Sequence, residues 1–284
     1  MRQENAFWLV VNETSGSNDA AALADLLASI ETAGLRFQRT IYFPSEDLPT
    51  PEQLNEAKVA MIAIFAGDGT INAAVSGLAD WEGVILVLPG GTMNLLSKRL
   101  HGSASASQII EMIALGKCRA VRPQVIQTSQ GVALAELLAG PGTSWAPVRE
   151  AIRDANVSET IEMASEAIAQ SRAAPPLHLV DPKLGRENGY PLLALQPTQN
   201  GLQISGYYAE SVGDFLRQGA AIVRRRFREG PHDDLGTVAQ VTVLEENGES
   251  MGLLLDGQPA EGEGTETFEL TQCAVDLLAT VQVD

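Results

Sequence analysis

Cysteine is nearly missing from this chain of 284 residues, with Cys118 and Cys273 as its whole complement. Two distant thiols cannot build a disulfide scaffold or a cysteine-rich zinc site, and they fit a reducing compartment. Histidine is almost as scarce. His101, His178 and His232 show no His-x-x-x-His spacing, so nothing supports a zinc centre. Aromatics make up only 5% of the chain, and the core must therefore rest on Leu, Val, Ile and Ala. Positive charge is also short, with 19 Lys and Arg against 36 Asp and Glu and a net charge of -17. That balance excludes nucleic acid as a partner, because its phosphates demand a cationic face. It also opposes unaided docking on an anionic membrane. No run reaches the roughly 18 consecutive apolar residues of a membrane span. The apolar stretch 6–11 is too short for the hydrophobic core of a signal peptide. A soluble cytoplasmic protein is the expectation, one that meets a membrane only peripherally.

What is present is globular. Hydrophobic residues reach 45% and charged residues 19%, and the length suffices for two domains with substantial cores. Residues 6–11 (AFWLVV) form a continuous apolar run rich in β-formers, which reads as a buried strand. After a polar break, Asn18 or Asp19 can cap a helix that runs to Ala33 and is stopped by Gly34. Residues 35–43 alternate as a second strand before Pro44, and Pro51 opens a short helix. Residues 59–65 and 83–88 are two more buried strands, each followed at once by a glycine-rich turn and helical spacing. A last helix at 104–115 closes the segment near Gly116. Strand, turn and helix recurring in this way predict a parallel sheet with helices on its faces.

From Cys118 the grammar changes. Short β-like runs fall at 120–128, 132–138, 177–180, 191–196, 202–208, 238–244, 251–255 and 267–270. Helical segments lie between some of them, at 146–154, 159–171 and 211–228. The expected fold class is α/β: an N-terminal parallel-sheet α/β domain over 1–117, plus a C-terminal, mainly antiparallel β-rich domain with helical insertions over 118–284.

The two glycine turns carry the chemistry. Gly67-Asp68-Gly69-Thr70 follows a buried strand and opens a helix. Its glycines allow a tight turn and close backbone approach to a bulky anion, and the helix start aims amides and its positive dipole end at the same place. Asp68 can hold Mg²⁺ or orient an attacking hydroxyl. The plain alternative is an ordinary strand-to-helix turn in which Asp68 or Thr70 is the N-cap. Gly90-Gly91-Thr92-Met93-Asn94 repeats the arrangement one strand later. Neighbouring turns at the C-terminal ends of parallel strands share one crevice, where open α/β sheets bind ligands. Neither turn is a Walker A motif or a dinucleotide fingerprint, so backbone amides and hydroxyls must hold the phosphates.

These residues resemble the diacylglycerol kinase-like lipid kinase superfamily. The strand plus AGDGTINAAVSGL is similar to the Gly-Gly-Asp-Gly-Thr nucleotide loop that diacylglycerol, sphingosine and ceramide kinases share, more distantly, with NAD kinases. LPGGTMNLLSKRL resembles the Pro-x-Gly-Thr-x-Asn stretch that follows it. Asn12 with Ser15-Gly16 sits where the family has Asn-Pro-x-Ser-Gly, and Leu255-Asp256-Gly257-Gln258 where it has a late Asp-Gly-Glu. The resemblance implies a nucleotide-binding N-terminal domain for ATP with Mg²⁺, a β-rich lipid domain, an acceptor site in the cleft between them, and transfer of the γ-phosphoryl group to a lipid hydroxyl at a membrane surface. Carried over by position, Asn12, Thr40, Gly67, Asp68, Gly69, Thr70, Gly91, Thr92 and Asn94 line the nucleotide, with Asp68 also meeting the metal. Thr40 reads equally as a strand-end surface residue. The catalytic positions are Asp68, Gln258 and Asp256.

Four departures stand out. Ala66 replaces the first glycine of the loop, Ala73 a glutamate common on the next helix, and Leu95 an aspartate found in many members. Gln258 replaces the late glutamate, the proposed base for the acceptor hydroxyl. An amide cannot accept that proton, and a lost general base costs about 10²–10⁴ in rate. Asp256 or Asp68 could substitute. Three classes of function therefore stay open: a lipid kinase, a non-catalytic nucleotide or lipid sensor, and a soluble-substrate kinase of the NAD kinase kind. A homodimer is compatible with all three.

Other features have two readings each. The arginines Arg224, Arg225, Arg226 and Arg228 end an amphipathic helix and form either a lip for lipid headgroups or a solvated helix end. Residues 145–153 border the lipid cleft or pack in the core. His232-Asp233-Asp234 is a metal-ligand set or a polar turn, and Glu261 and Glu263 are expected on a loop surface.

Overall fold

The computed structural model describes residues 6–12, 20–140, 175–207 and 232–283. They divide into two compact units. The first joins 1–123 to 272–284, and the second spans 124–271.

The first unit opens with β1 (Ala6–Asn12), α1 (Ala20–Thr32), β2 (Arg36–Phe43) and α2 (Pro51–Glu56). Gly34, at φ +69, supplies the left-handed residue that ends α1. Thr50 caps α2 in a reciprocal box with Gln53, and Pro51 takes the first helical position. There follow β3 (Met61–Ala66), α3 (Asp68–Gly77), β4 (Val84–Pro89), α4 (Leu95–His101), α5 (Ala106–Ala114) and β5 (Arg119–Val121). β1 pairs in parallel with β2 and β3, and β3 with β4. Parallel strands buried on both faces need unbroken apolar runs, and β3 and β4 supply them as MIAIFA and VILVLP. Phe7, Leu9 and Val11 of β1 share a core with Leu26 and Ile30 of α1 and Ile109 and Ile110 of α5.

In the second unit come β6 (Gln124–Thr128), β7 (Gly131–Ala133), β8 (Leu137–Gly140), β9 (Leu177–Asp181), β10 (Lys183–Leu184), β11 (Leu192–Thr198) and β12 (Gly201–Tyr207). Then follow β13 (His232–Val238), β14 (Gln240–Glu245), β15 (Met251–Leu255), β16 (Gln258–Gly262) and β17 (Thr265–Gln272). They form two six-stranded sheets in the orders β10-β9-β14-β17-β6-β7 and β13-β12-β11-β8-β15-β16. A continuous core of Leu137, Leu193, Leu195, Ile204, Val241, Leu253, Phe268 and the Tyr190 ring holds this unit together. The expected fold class is thus the observed one, a parallel α/β sheet followed by antiparallel β-rich sheets.

The division differs from the one expected at 117/118. After β17 the chain returns to the first unit, and β18 (Asp276–Ala279) inserts beside β4 in parallel and beside β5 in antiparallel fashion. The first sheet therefore reads β2-β1-β3-β4-β18-β5, and sequence reading did not find its fifth member. Three expected strands are also cut in two. Pro123 separates β5 from β6, residues 134–136 separate β7 from β8, and Ala239 separates β13 from β14. The helices expected at 146–154, 159–171 and 211–228 lie outside the described residues.

Candidate functional site

Both glycine turns sit at the C-terminal ends of adjacent parallel strands. Ala66 closes β3, and Gly67 (φ -78, ψ 166) is the N-cap of α3. Sequence reading offered Asp68 or Thr70 as that cap; the structure gives it to glycine. With no side chain, Gly67 makes no capping bond. The start of α3 thus lacks the acceptor that a serine or aspartate would bring to its donors.

The second turn is built around Asn94, which adopts the left-handed conformation at φ 53 and ψ 46. Asparagine tolerates that conformation better than most residues. Its side-chain amide also closes the turn on itself: Oδ1 accepts the Gly91 N–H at 2.7 Å and Nδ2 donates to the Gly91 carbonyl at 2.7 Å. Lys98, one helical turn further on, donates from Nζ to the Met93 carbonyl. That lysine places a cation at the second loop, and sequence reading missed it. Its spacing of four from Asn94 on a helix was the available signal.

The two turns are locked together. Asp68 Oδ1 accepts the Leu95 N–H, the first of α4, at 2.7 Å. A Cβ added to Gly91 would lie 2.6 Å from the Gly67 Cα, so the backbones touch and no larger residue fits. From the other side Asn12, the last residue of β1, donates from Nδ2 to Thr70 Oγ1 at 2.8 Å. Asn12, Gly67, Asp68, Gly69, Thr70, Gly91 and Asn94 are thereby gathered at the ends of β1, β3 and β4, the place where ligands of open α/β sheets bind. Thr92 lies between Gly91 and Asn94 and is exposed. Thr40 does not join them. It pairs with Leu9, three residues before the end of β1 and so about 10 Å down the strand from Asn12.

The second unit holds the remaining expected positions. Asp256 (φ 50) and Gly257 (φ 82) form the two-residue turn of the β15–β16 hairpin, and Gln258 pairs with Leu255 as the first residue of β16. Asp256 is 3% exposed. Its carboxylate accepts the amides of Leu134 at 2.6 Å, Ala135 at 2.8 Å and Glu136 at 3.0 Å. A carboxylate so enclosed anchors a neighbouring turn and does not meet a substrate hydroxyl, which tells against Asp256 as a substitute base. His232, Asp233 and Asp234 lie in a strand, β13, not in a polar turn. Asp233 accepts from Arg186 Nε at 2.9 Å and from the Tyr190 hydroxyl at 2.7 Å. Burial, reinforced by that bond to Asp233, pushes the Tyr190 phenol up to about 12. Glu261 belongs to β16, and Glu263 follows it on the surface. Among the described residues no three His, Cys, Asp or Glu side chains cluster as a metal site. Ser15, Gly16, residues 145–153 and the arginines at 224–228 lie outside the described residues.

Residues 6–125 match the model of the diacylglycerol kinase catalytic domain. The matched segment carries both glycine turns and supports a likeness to the diacylglycerol kinase-like lipid kinases. The chain is similar in fold to a diacylglycerol kinase from Bacillus anthracis str. Sterne, at 16% identity and a TM-score of 0.61, over 99% of this chain and 98% of that one. A second structure from the same source, named only provisionally as a diacylglycerol kinase, gives 15% identity and a TM-score of 0.61 over 98% of each chain. No curated protein matches the sequence. Among the described residues no helix is long and apolar enough to cross a membrane.

Proposed function

We propose that this chain is a member of the diacylglycerol kinase-like superfamily and transfers the γ-phosphoryl group of ATP to a hydroxyl of a diacylglycerol- or sphingoid-type lipid presented at a membrane surface. The observation that carries the proposal is the interlock of the two turns. Asp68 on the Leu95 amide, Asn94 on Gly91 and Asn12 on Thr70 fix both loops before any nucleotide arrives. Donors fixed in advance stabilise charge that develops on a transferring phosphoryl group without reorganising at the moment of reaction. The uncapped start of α3 and the cation of Lys98 add favourable potential for an anion.

Asp68 is the carboxylate that would meet a nucleotide-bound Mg²⁺, and it fits as one protein ligand supplemented by phosphate oxygens and water. Charge neutralisation at the phosphates is the chemistry such an ion would supply when bound. Asp68 itself keeps α4 in register with α3 through its bond to the Leu95 amide.

The direct test is purified protein with labelled ATP, Mg²⁺ and a panel of diacylglycerols, ceramides and sphingoid bases. Transfer to one class is the expected result, with Asp68→Ala lowering nucleotide affinity by at least tenfold. Loss of a charge-assisted hydrogen bond, worth about 1.5–3 kcal/mol, accounts for that size. Absence of transfer to every lipid tested would overturn the kinase assignment and leave the fold intact. Gln258 favours a second reading, a nucleotide or lipid sensor that keeps the loops and lacks the base; it predicts nucleotide binding with no turnover.

A further inference from the structure

We propose that Thr280 is a positioning residue for the second glycine turn: it fastens the end of α4, and through that helix it sets how tightly the paired turns hold a polyphosphate. The inference rests on the nucleotide reading above and lies wholly within the first unit.

The need for a fastening follows from how short α4 is. Leu95–His101 makes a helix of seven residues, about 10 Å long, and so short a helix does not hold its shape alone. Its N-cap, Asn94, makes no side-chain capping bond and turns its amide on Gly91 instead. The last carbonyls of a helix have no partners inside it. In α4 the Lys98 carbonyl accepts the Gly102 N–H at 2.8 Å, and the Leu100 carbonyl must look elsewhere. The helix that follows the second turn is thus held by what surrounds its two ends.

At the first end the holder is Asp68, on the Leu95 amide. At the last end it is the chain that follows β18. The N–H groups of Thr280 and Val281 both donate to the Leu100 carbonyl, at 3.0 and 3.3 Å. Thr280 Oγ1 lies 3.0 Å from His101 Nδ1. A Cβ added to Gly102, the C-cap, would stand 3.9 Å from Val281 Cγ1, so the valine lies over the helix end.

Strand register brings Thr280 to this place. Leu277 pairs with Ile85 of β4, and the same register sets Thr280 abreast of Leu88, two residues short of Gly90. The segment from Leu88 through the second turn and α4 is therefore an arch. It leaves the sheet at β4, is braced by Asp68 on the way, and returns at Thr280 on the adjacent strand. Leu96, Leu100 and His101 are buried along it. Donors that are fixed in advance bind an anion without having to be ordered first. Loosening one foot of the arch makes binding order the turn as well, so affinity falls. The coupling is reciprocal: a nucleotide on the turns tightens the fastening at Thr280.

The test is calorimetry with a non-hydrolysable ATP analogue and Mg²⁺ on wild type, Thr280→Val and Thr280→Ser, each well below its melting temperature. Hydrogen exchange at the amides of residues 280 and 281 is followed with and without the nucleotide. Thr280→Val keeps the branched shape and removes the hydroxyl, whereas Thr280→Ser keeps the hydroxyl. Loss of one net hydrogen bond corresponds to an affinity about three- to tenfold lower in Thr280→Val, with Thr280→Ser close to wild type. In wild type the nucleotide should slow exchange at both amides several-fold. A Thr280→Val protein that melts lower yet binds as tightly as wild type would reduce Thr280 to a structural role and overturn the proposal, with the nucleotide reading left standing. So would an equal loss in Thr280→Ser, or exchange at 280 and 281 that the bound nucleotide leaves unchanged. A wild type that binds no nucleotide would remove the nucleotide reading and the proposal together.

Discussion

The two units use their acidic side chains in opposite ways. In the second unit carboxylates are spent inward, with Asp256, Glu245 and Glu266 each buried and each gripping backbone amides of a nearby turn. In the first unit the two glycine turns are held mainly by neutral amides, Asn12 and Asn94, together with the carboxylate of Asp68. On the phosphoryl-transfer proposal, the difference follows from what each turn must do. A turn that only reverses the chain is best closed by an anion that consumes its donors. A turn that grips a phosphate must keep donors for it, and an anion placed on them would compete.

The sharpest way to break this comparison is Asp256→Ala. It orphans three amides, forces a left-handed φ on alanine, and should destabilise the protein by about 4 kcal/mol. Chemical denaturation would read that loss, while nucleotide affinity of the folded protein should not change. A parallel loss of nucleotide affinity would show that the acids of the second unit are not purely internal.

A smaller effect tests the first unit with pH. His101 on α4 is 2% exposed, and its Nδ1 lies 3.0 Å from Thr280 Oγ1 beyond β18. Burial lowers its pKa from 6.5 to about 4, against a lesser opposing bond to the Val87 backbone. The unfolded chain then binds the proton more strongly than the folded one. Stability is whole above about pH 6.5 and falls as the pH drops toward 4, by up to about 3 kcal/mol once fully protonated. Denaturation midpoints at pH 7 and pH 4.5 for wild type and His101→Gln should converge at the lower pH.

The smallest expected change in stability carries the largest information about the site. Gly91→Ala brings a methyl to 2.6 Å from the Gly67 Cα. The turns must part, at about 1–2 kcal/mol of stability, and calorimetry with ATP analogue and Mg²⁺ should show affinity reduced at least tenfold. Unchanged affinity would detach the interlock from nucleotide binding.

Much of the first unit was legible because its signals are local. Buried parallel strands read as the apolar runs of β3 and β4, Gly67 and Gly91 mark the turns, and Pro51 marks the start of α2. Both loops could be named as a pair from chain order alone. What escaped was non-local. β18 is only four residues long, and what makes it a strand is pairing with β4, some 190 residues earlier in the chain. The clamp of Asp256 on residues 134–136 spans about 120 positions and leaves no periodicity. β13 reads as polar because it is the outermost strand of its sheet, with four of its residues half-buried and three exposed. Thr40 looked close to the loops because it nears the end of its strand, but the register with β1 sets it back beside Leu9.

The return of β18 also sets the order in which this molecule can be completed. A strand contributed by residues 276–279 separates β4 from β5 in the sheet of the first unit. A ribosome that has released everything up to residue 271 has made both glycine turns, yet the sheet beneath them still has an open seam. Cutting the chain after Pro123 would leave β4 with an unpaired apolar edge of the kind that recruits foreign strands. The second unit is in effect a long insertion within the first, so the first cannot be completed until the chain has passed through the whole of the second.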